Sequence, residues 1–328
     1  MQKRVLITGI TGYIGKHVAA ELLKQNYEVV GTIRSLAKAE KTRDALAAIP
    51  GAAGVTFVEA DLLSDKGWDQ AVEGCDYVMH IASPFLMAEP KDENEIITPA
   101  VDGTKRVIKA AMRAGVKRMV MTSSIVSMTS GKSSGTYGSD SWSDTNLEIG
   151  AYPKSKTLAE RTAWETIKEG SMELVVINPG FVLGPPLGSV GGGASESLIL
   201  NLIGGKIPMI PSISIAIVDV RDVARLHVAA LEATGVSGKR LIAASAEPVE
   251  LMYLAKVLKK AGYDKVKTRK LPNFVIKFKA IFDREARRTV PNLGVKVGFD
   301  NRETFELLNW KPTALEVTFT DMAAALSK

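Results

Sequence analysis

The sequence of 328 residues predicts an α/β fold, a doubly wound parallel sheet joined to a smaller, mainly helical C-terminal lobe. Short apolar runs alternate with segments of helical period through the first half of the chain, and this alternation breaks after Asn178-Pro179-Gly180. Strands that are apolar on both faces and separated by helices are typical of a parallel sheet covered on both sides. Right-handed crossovers make such a sheet doubly wound.

The individual elements follow from the apolar runs and the helical segments between them. The predicted strands are residues 5–8, 27–33, 55–59, 77–81, 118–122 and 174–177. The predicted helices are residues 15–24, 37–49, 94–114 and 152–168. Later in the chain, residues 215–218 form a further apolar run, and residues 220–233 have a helical period.

Composition excludes several classes of protein. With 46% hydrophobic and 24% charged residues the chain is an ordinary globular protein, and its one cysteine, Cys75, cannot form an intramolecular disulfide. The amino terminus lacks the apolar core of a signal peptide, and no apolar run has the length of a membrane span. We therefore expect a cytoplasmic protein without a membrane partner.

Charge and histidine placement argue against two further classes. The positive residues behind the net charge of +6 are spread along the chain, and 6% aromatic residues offer few stacking platforms for single strands. A solvated basic face is therefore favoured over a nucleic-acid site. The three histidines, His17, His80 and His227, are scattered and predict no metal site.

A glycine-rich turn lies directly after the first predicted strand and opens the first predicted helix. Its residues are Gly9, Thr11, Gly12, Tyr13, Ile14 and Gly15, with the glycines spaced three and three. Such glycines allow a tight turn, close approach of the backbone to a pyrophosphate and close helix–strand packing. The helix N-terminus offers free N–H groups to phosphates. A purely structural turn is the alternative, but the strand–turn–helix context favours a dinucleotide-binding (Rossmann) domain.

The end of the second strand indicates which dinucleotide is bound. NAD enzymes usually carry a carboxylate there for the ribose hydroxyls, whereas this chain has Arg34, followed by Lys38 and Lys41. A guanidinium can pair with a 2′-phosphate. The alternative is that these basic residues only form the solvated start of a helix. The missing carboxylate and the basic residues in its place both favour NADP(H).

Tyr152 and Lys156 are the candidate catalytic pair, because a spacing of four places both side chains on one helix face. A nearby cation could lower the phenol pKa of about 10 by roughly one to three units, so that Tyr152 donates a proton to a carbonyl oxygen. Tyr263 and Lys267 share the spacing, but they follow a glycine expected to end a helix. Ser124 lies at the carboxyl end of the fifth predicted strand, and ligands bind at this edge of such sheets. Its alternative role is that of a helix cap or turn residue.

Taken together, these motifs resemble the extended short-chain dehydrogenase/reductases, in particular the dihydroflavonol-reductase-like branch. That branch includes cinnamoyl-CoA reductases and microbial aldehyde and ketone reductases. The resemblance runs over almost the full chain, through residues 8–15, 60–62, 74–76, 80–84, 122–124, 152 and 156, 177–180, 218–224 and 309–312.

The resemblance implies roles at the matching positions. Ser124, Tyr152 and Lys156 would be catalytic, and Arg34 would bind the 2′-phosphate. The other implied cofactor contacts are Asp61 and Leu62 at the adenine, Ala82 and Ser83 at the ribose, Pro179 at the nicotinamide, and also Pro84, Thr122, Gly180, Phe181 and Val182. Asp61 could equally cap a helix. One departure concerns the Asn-Trp-Tyr-Cys-Tyr stretch of cinnamoyl-CoA reductases, because this chain has Glu148-Ile149-Gly150-Ala151-Tyr152. This difference argues against a CoA thioester substrate.

Residues that follow the strands at the reactive edge are expected to line a substrate pocket. They are Phe85, Leu86, Met87, Ile125, Met128 and Phe181, which favour a hydrophobic or aromatic aldehyde or ketone. Ile125 and Met128 could instead pack in the core. The glycine-rich residues 188–193 are expected to form a mobile cover.

The sequence thus favours an NADPH-dependent reductase that acts on a small molecule as a monomer or homodimer. A sugar-nucleotide epimerase or dehydratase with tightly bound NAD is the first alternative, and a non-catalytic NADP sensor is the second. We expect residues 1–180 to bind NADP, with residues 216–243 returning to that domain. Residues 181–215 and 244–328 are expected to form the substrate lobe.

Overall fold

The computed structural model describes residues 2–86, 88–188, 192–283, 290 and 293–327. The strands of the main sheet are β1 (Arg4–Thr8), β2 (Glu28–Ile33), β3 (Thr56–Glu59), β4 (Tyr77–His80), β5 (Arg118–Thr122), β7 (Glu173–Pro179) and β11 (Arg240–Ala243). The shorter strands are β6 (Ser134–Tyr137), β8 (Phe181–Leu183), β9 (Ser214–Ile215), β10 (Ile217–Asp219), β12 (Val249–Glu250) and β13 (Lys296–Phe299).

The main sheet has the order β11-β7-β5-β4-β1-β2-β3, and all of its strand pairs are parallel. The chain builds outward from β1 to β3 and then returns to build outward from β4 in the other direction. The predicted doubly wound parallel sheet is therefore confirmed. Its switch point lies between β1 and β4, where such folds bind ligands beyond the carboxyl ends of the strands.

The helices cover both faces of this sheet and form the second lobe. They are α1 (Tyr13–Lys24), α2 (Ala39–Leu46), α3 (Trp68–Val72), α4 (Asn94–Arg113), α5 (Val126–Thr129), α6 (Ala151–Ile167), α7 (Ala194–Ile203), α8 (Val220–Ala229), α9 (Leu251–Lys260), α10 (Asn273–Lys279), α11 (Arg302–Leu308) and α12 (Leu315–Leu326). Helices α1 and α8 pack together, as do α4 and α6. No helix in the described ranges is long and apolar enough to cross a membrane.

Strand β1 shows why its sequence is apolar throughout. Val5 and Ile7 are fully buried in one core cluster with Val18 of α1, whereas Leu6 is buried in another cluster with Val107 of α4. Successive side chains of a strand point to opposite faces, so a sheet covered on both sides needs apolar residues at every position.

The small lobe has its own core, and it differs in two places from the prediction. Helices α7, α9 and α12 pack around Phe319 and Met322, and Tyr263 packs at the edge of this core. The predicted strand at 215–218 is wrong as a single element: β9 and β10 flank Ala216 and pair with β12 and β8, outside the main sheet. Strand β11, which the apolar pattern did not predict, forms an edge of the main sheet.

Candidate active site

One cavity of about 2200 Å³ lies along the carboxyl edge of the main sheet. Residues that directly follow successive strands line it, among them Gly9 after β1, Arg34 after β2, Ala82 beyond β4 and Ser124 beyond β5. These residues are distant in sequence, and the parallel arrangement of the strands brings them to the same edge.

The backbone of the glycine turn packs so closely that its glycines cannot carry side chains. Gly9 has a φ of +72°, and a Cβ added there would lie 2.9 Å from the backbone of Ala82. A Cβ on Gly15 would lie 2.2 Å from the carbonyl oxygen of Gly9. No side chain of the described part of the chain caps the amino end of α1, which begins after Gly12. The turn therefore fits a pyrophosphate bound by backbone N–H groups.

Three side chains of α1 hold the chain after β8 against the glycine turn. The Tyr13 hydroxyl donates to the carbonyl oxygen of Gly184 at 2.5 Å, and Lys16 Nζ donates to that of Leu187 at 2.5 Å. His17 Nε2 lies 2.9 Å from the carbonyl oxygen of Pro185. Residues 184–187 are thus anchored at the cavity edge. The predicted cover at 188–193 includes residues 189–191, which lie outside the described residues, as does Met87.

The far end of the cavity, beyond β2, is basic. Arg34, Lys38 and Lys41 line it, and none of them belongs to an ion pair within the described ranges. Asp61 also lines the cavity, and its carboxylate accepts a hydrogen bond from the Leu63 amide at 2.9 Å, which closes a local turn. Three cations without a carboxylate partner fit a ribose that carries a 2′-phosphate.

A buried histidine that the sequence analysis did not place in the site supports the central wall of the cavity. Thr8 Oγ1 accepts hydrogen bonds from the amides of Ile81 and Ala82, at 3.1 and 3.0 Å, and lies 2.9 Å from His80 Nδ1. His80 Nε2 lies 3.2 Å from Thr104 Oγ1. Burial lowers the pKa of His80 to about 3, so the ring is neutral and can accept from Thr8 and donate to Thr104. This network fixes the backbone that faces Gly9.

The carboxyl edge also brings Ser124, Tyr152 and Lys156 together. Ser124, Tyr152 and Lys156 all line the cavity, and Lys156 Nζ donates to the carbonyl oxygen of Thr122 at 3.2 Å. The amino end of α6 is fixed by Glu89, whose carboxylate accepts the Ala151 amide at 2.6 Å. A phenol, a hydroxyl and an ammonium thus line one part of the cavity.

Protonation of this group differs from the sequence-based expectation. Burial raises the pKa of Tyr152, and the Ser124 hydroxyl opposes this effect. Lys156 is directed at the Thr122 carbonyl, and burial lowers its own pKa to about 8, against the attraction of Glu160. The expected lowering of the Tyr152 pKa is therefore not found in this structure, because desolvation outweighs the polar contacts.

Apolar side chains surround the reactive group. The Phe85 ring meets the Tyr152 ring edge to face, with the centroids 5.4 Å apart, and Leu86, Ile125 and Phe181 also line the cavity. Met128 does not: it is fully buried in a core cluster with Ile242 and Phe299, because its short helix turns it away from the cavity.

The predicted cofactor contacts all line this cavity. They are Gly9, Thr11, Gly12, Tyr13, Ile14, Gly15, Arg34, Lys38, Asp61, Leu62, Ala82, Ser83, Pro84, Thr122, Pro179, Gly180, Phe181 and Val182. The second lobe also contributes lining residues that the sequence did not indicate, among them Ile215, Val295 and Val297. Within the described part of the chain, no group of three or more His, Cys, Asp and Glu side chains is placed to hold a metal ion.

The chain resembles known proteins in both sequence and structure. The sequence matches the NAD dependent epimerase/dehydratase family over residues 5–244. It is 38% identical to cinnamoyl-CoA reductase 1 of Arabidopsis thaliana over 261 residues, which cover 76% of this chain and 74% of that protein. It is 31% identical to an anthocyanidin reductase of Vitis vinifera over 277 residues, covering 79% of this chain and 81% of that protein.

Solved structures resemble the chain over nearly its whole length. Gre2 from Candida albicans, in complex with NADPH, superimposes with a TM-score of 0.80 at 25% identity and covers 99% of this chain and 98% of that one. Vestitone reductase from alfalfa (Medicago sativa) superimposes with a TM-score of 0.78 at 26% identity, with the same coverage.

Proposed function

Because the chain belongs to the NAD-dependent epimerase/dehydratase family and to its dihydroflavonol-reductase-like branch, we propose that it is an NADPH-dependent reductase of hydrophobic or aromatic aldehydes or ketones. The observation that carries the proposal is the position of Ser124, Tyr152 and Lys156. They lie in the same cavity as a glycine turn suited to a pyrophosphate and a basic end suited to a 2′-phosphate.

The relatives support both the reaction and the cofactor. The similar sequences are named as reductases, and the Gre2 structure holds NADPH. When bound in this cavity, NADPH would supply the hydride. We assign the pyrophosphate to the glycine turn, the 2′-phosphate to Arg34 and Lys38, and the remaining cofactor contacts to the other lining residues predicted above.

The chain's own groups would handle the carbonyl oxygen. Ser124 and Tyr152, which both line the cavity, would both donate to this oxygen, and Tyr152 would release its proton to it as the alcohol forms. The raised pKa keeps the Tyr152 phenol protonated but makes it a weaker acid, so proton transfer depends on stabilising the phenolate that it leaves. Lys156, which is directed at the Thr122 carbonyl, would place its positive charge near the phenolate that remains.

The walls of the cavity suggest the class of carbonyl substrate. Phe85, Leu86, Ile125 and Phe181, together with Ile215 and Val297 from the second lobe, present mostly apolar surface. We assign cofactor binding to residues 1–180 and 216–243, and substrate binding to residues 181–215 and 244–328. The departure at Glu148–Tyr152 from the cinnamoyl-CoA reductase pattern favours a free carbonyl compound over a CoA thioester.

The test is the loss of NADPH absorbance, with NADH in parallel, against a panel of aromatic and aliphatic aldehydes and ketones. We expect turnover that prefers NADPH and disappears in Tyr152→Phe, a variant that keeps the ring contact with Phe85. Tyr263→Phe is the matched control, because Tyr263 packs in the second lobe, and it should retain activity. A complete lack of turnover, combined with NAD that remains bound through purification, would favour a sugar-nucleotide epimerase instead.

A further inference from the structure

A buried ion pair lies directly behind the proposed catalytic lysine. Glu160 is one helical turn beyond Lys156 on α6 and is completely buried. Its Oε1 accepts a hydrogen bond from Nε of Arg240 at 2.5 Å, and only 7% of the Arg240 side chain is exposed. Neither residue lines the cavity, so neither contacts substrate or cofactor directly.

The second carboxylate oxygen of Glu160 accepts hydrogen bonds from the ends of β5 and β7, two strands that lead into the site. Oε2 accepts from Ser123 Oγ at 2.5 Å, from Ser127 Oγ at 2.7 Å and from Asn178 Nδ2 at 3.0 Å. Ser123 precedes Ser124 at the end of β5, and Asn178 precedes Pro179 near the end of β7. One carboxylate therefore links α6 to the ends of β5 and β7, the three segments that carry the proposed catalytic groups and the nicotinamide contact.

Arg240 is itself held in a fixed orientation. Its Nη1 donates to the carbonyl oxygens of Ser139 and Ser141, at 2.8 and 2.6 Å, and its guanidinium lies 3.7 Å from the centroid of the Trp142 ring. A guanidinium with this many partners on one side presents its remaining donors rigidly to Glu160. The edge strand β11 thus stabilises the Glu160 carboxylate through Arg240.

Glu160 is also the charged group that favours the ammonium form of Lys156. Burial disfavours the cation, and Glu160 opposes this effect. His80 on β4 also faces Lys156, and burial holds its pKa at about 3, so it is neutral. His227 on α8 contacts Thr122 Oγ1 at 2.6 Å and, with a pKa lowered to about 4, is neutral as well. Tyr152 on α6 is protonated and therefore neutral. The negative charge that balances the Lys156 ammonium group is that of Glu160, which also pairs with Arg240 of β11.

We propose that Glu160, oriented by Arg240, is a positioning residue of this site: it keeps Lys156 cationic and holds the ends of β5 and β7 in place around it. The inference rests on the proposed reductase function for its kinetic consequence, but the charge of Lys156 can be measured without any turnover.

The first test measures the protonation of Lys156 in the full-length protein. The rate of acetylation of Lys156 by acetic anhydride, followed by mass spectrometry across pH, gives the midpoint at which its amine becomes reactive. In Glu160→Gln we expect this midpoint to fall by about one pH unit, because an attractive charge is lost while the Arg240 cation remains. The double variant Glu160→Gln/Arg240→Gln, which removes both charges, should show a smaller fall.

The matched control is Asp222→Asn. Asp222 is an equally buried carboxylate that pairs with Arg225 and accepts the Thr313 amide at 2.8 Å, away from the cavity. It should leave the Lys156 midpoint unchanged. An unchanged midpoint in both Glu160 variants, or an equal shift in Asp222→Asn, would overturn the proposal. If Glu160→Gln fails to fold because Arg240 is left unpaired, the double variant is measured alone. A fall in its Lys156 midpoint supports the proposal, and an unchanged midpoint overturns it.

The second test is the pH profile of kcat with the best carbonyl substrate. Loss of the Lys156 cation should move the alkaline limb of this profile to lower pH by the same amount as the labelling midpoint. A purely structural loss would reduce kcat equally at all pH values and contradict the inference. If the wild type turns over no carbonyl, the reductase proposal fails, whereas the labelling result stands on its own.

Discussion

Replacing Gly15 by alanine adds one methyl group at the most crowded point of the glycine turn. The added Cβ would lie 2.2 Å from the Gly9 carbonyl oxygen and 2.9 Å from the Gly9 carbonyl carbon and the Ile10 Cα. All of these are backbone atoms, so no side chain can rotate away to relieve the clash. The methyl and the oxygen must separate by about 0.8 Å to reach even the shortest contact that real Cβ atoms make.

Such overpacking costs about 2 kcal/mol, which lowers Tm by about 3 °C in a chain of this length. The separation must also open the turn between β1 and α1, which moves backbone N–H groups away from the pyrophosphate. The loss of one favourable helix-terminus interaction weakens NADPH binding by about tenfold.

The assay is a fluorescence titration with NADPH together with thermal unfolding of the unliganded protein. Gly54→Ala is the matched control, since nothing lies within 4 Å of a Cβ added there, and it should leave both values unchanged. If Gly15→Ala bound NADPH as tightly and melted at the same temperature as the wild type, the proposed close packing of the turn would be refuted.

Three further changes test the two ends of the cavity and the buried histidines. Arg34→Ala should weaken NADPH binding by about tenfold or more while NADH binding changes little, since a charged hydrogen bond to the 2′-phosphate is lost. Phe85→Ala should raise KM for aromatic carbonyls by about fivefold, because it removes a ring beside Tyr152. The free energy of unfolding should fall below pH 6.5, since the pKa values of His80 and His227 are lowered to about 3 and about 4 in the fold. Because these pKa values are lowered, the two histidines contribute to the free energy of unfolding, and this contribution is fully present above pH 6.5. It is lost as the pH falls, by about 2 kcal/mol for each histidine between pH 6.5 and 5.

Each of these three predictions can be contradicted by a measurement. Equal losses for NADPH and NADH in Arg34→Ala would place the 2′-phosphate elsewhere. An unchanged KM for aromatic and aliphatic carbonyls in Phe85→Ala would remove that ring from the substrate pocket. Urea unfolding at pH 7 and pH 5 measures the histidine effect, and His227→Gln should reduce the difference between the two; a pH-independent wild type would contradict it.

The parts of the fold that the sequence could predict are those with strong periodicity. The runs at 5–8 and 118–122 are buried on both faces, and the structure places strands at Arg4–Thr8 and Arg118–Thr122. Strand β11 was missed because Arg240 opens it with a charged residue and only four apolar residues follow, two of which are alanines with low strand propensity. A run that short does not distinguish an edge strand from a loop.

The candidate site was predictable where function requires a particular residue at a particular spacing, as in the glycine turn and the pair Tyr152 and Lys156. Glu160 was missed, although its position four residues beyond Lys156 repeats the same helical spacing and could have indicated a third polar group on that face. The wall from Val295 and Val297 could not be predicted, because it depends on how the second lobe packs against the first. Met128 follows the reactive edge in sequence but packs in the core, since one turn of helix reverses its direction.

The most direct test of the central claim follows the hydride itself. NADPH carrying deuterium at both C4 positions of the nicotinamide is incubated with the best aromatic carbonyl, and the alcohol is analysed by mass spectrometry. The proposed reaction predicts one deuterium on the former carbonyl carbon for each NADPH consumed, and no deuterated alcohol with Tyr152→Phe. Substrate conversion without net loss of NADPH and without deuterium in the product would contradict the reductase function and indicate an epimerase.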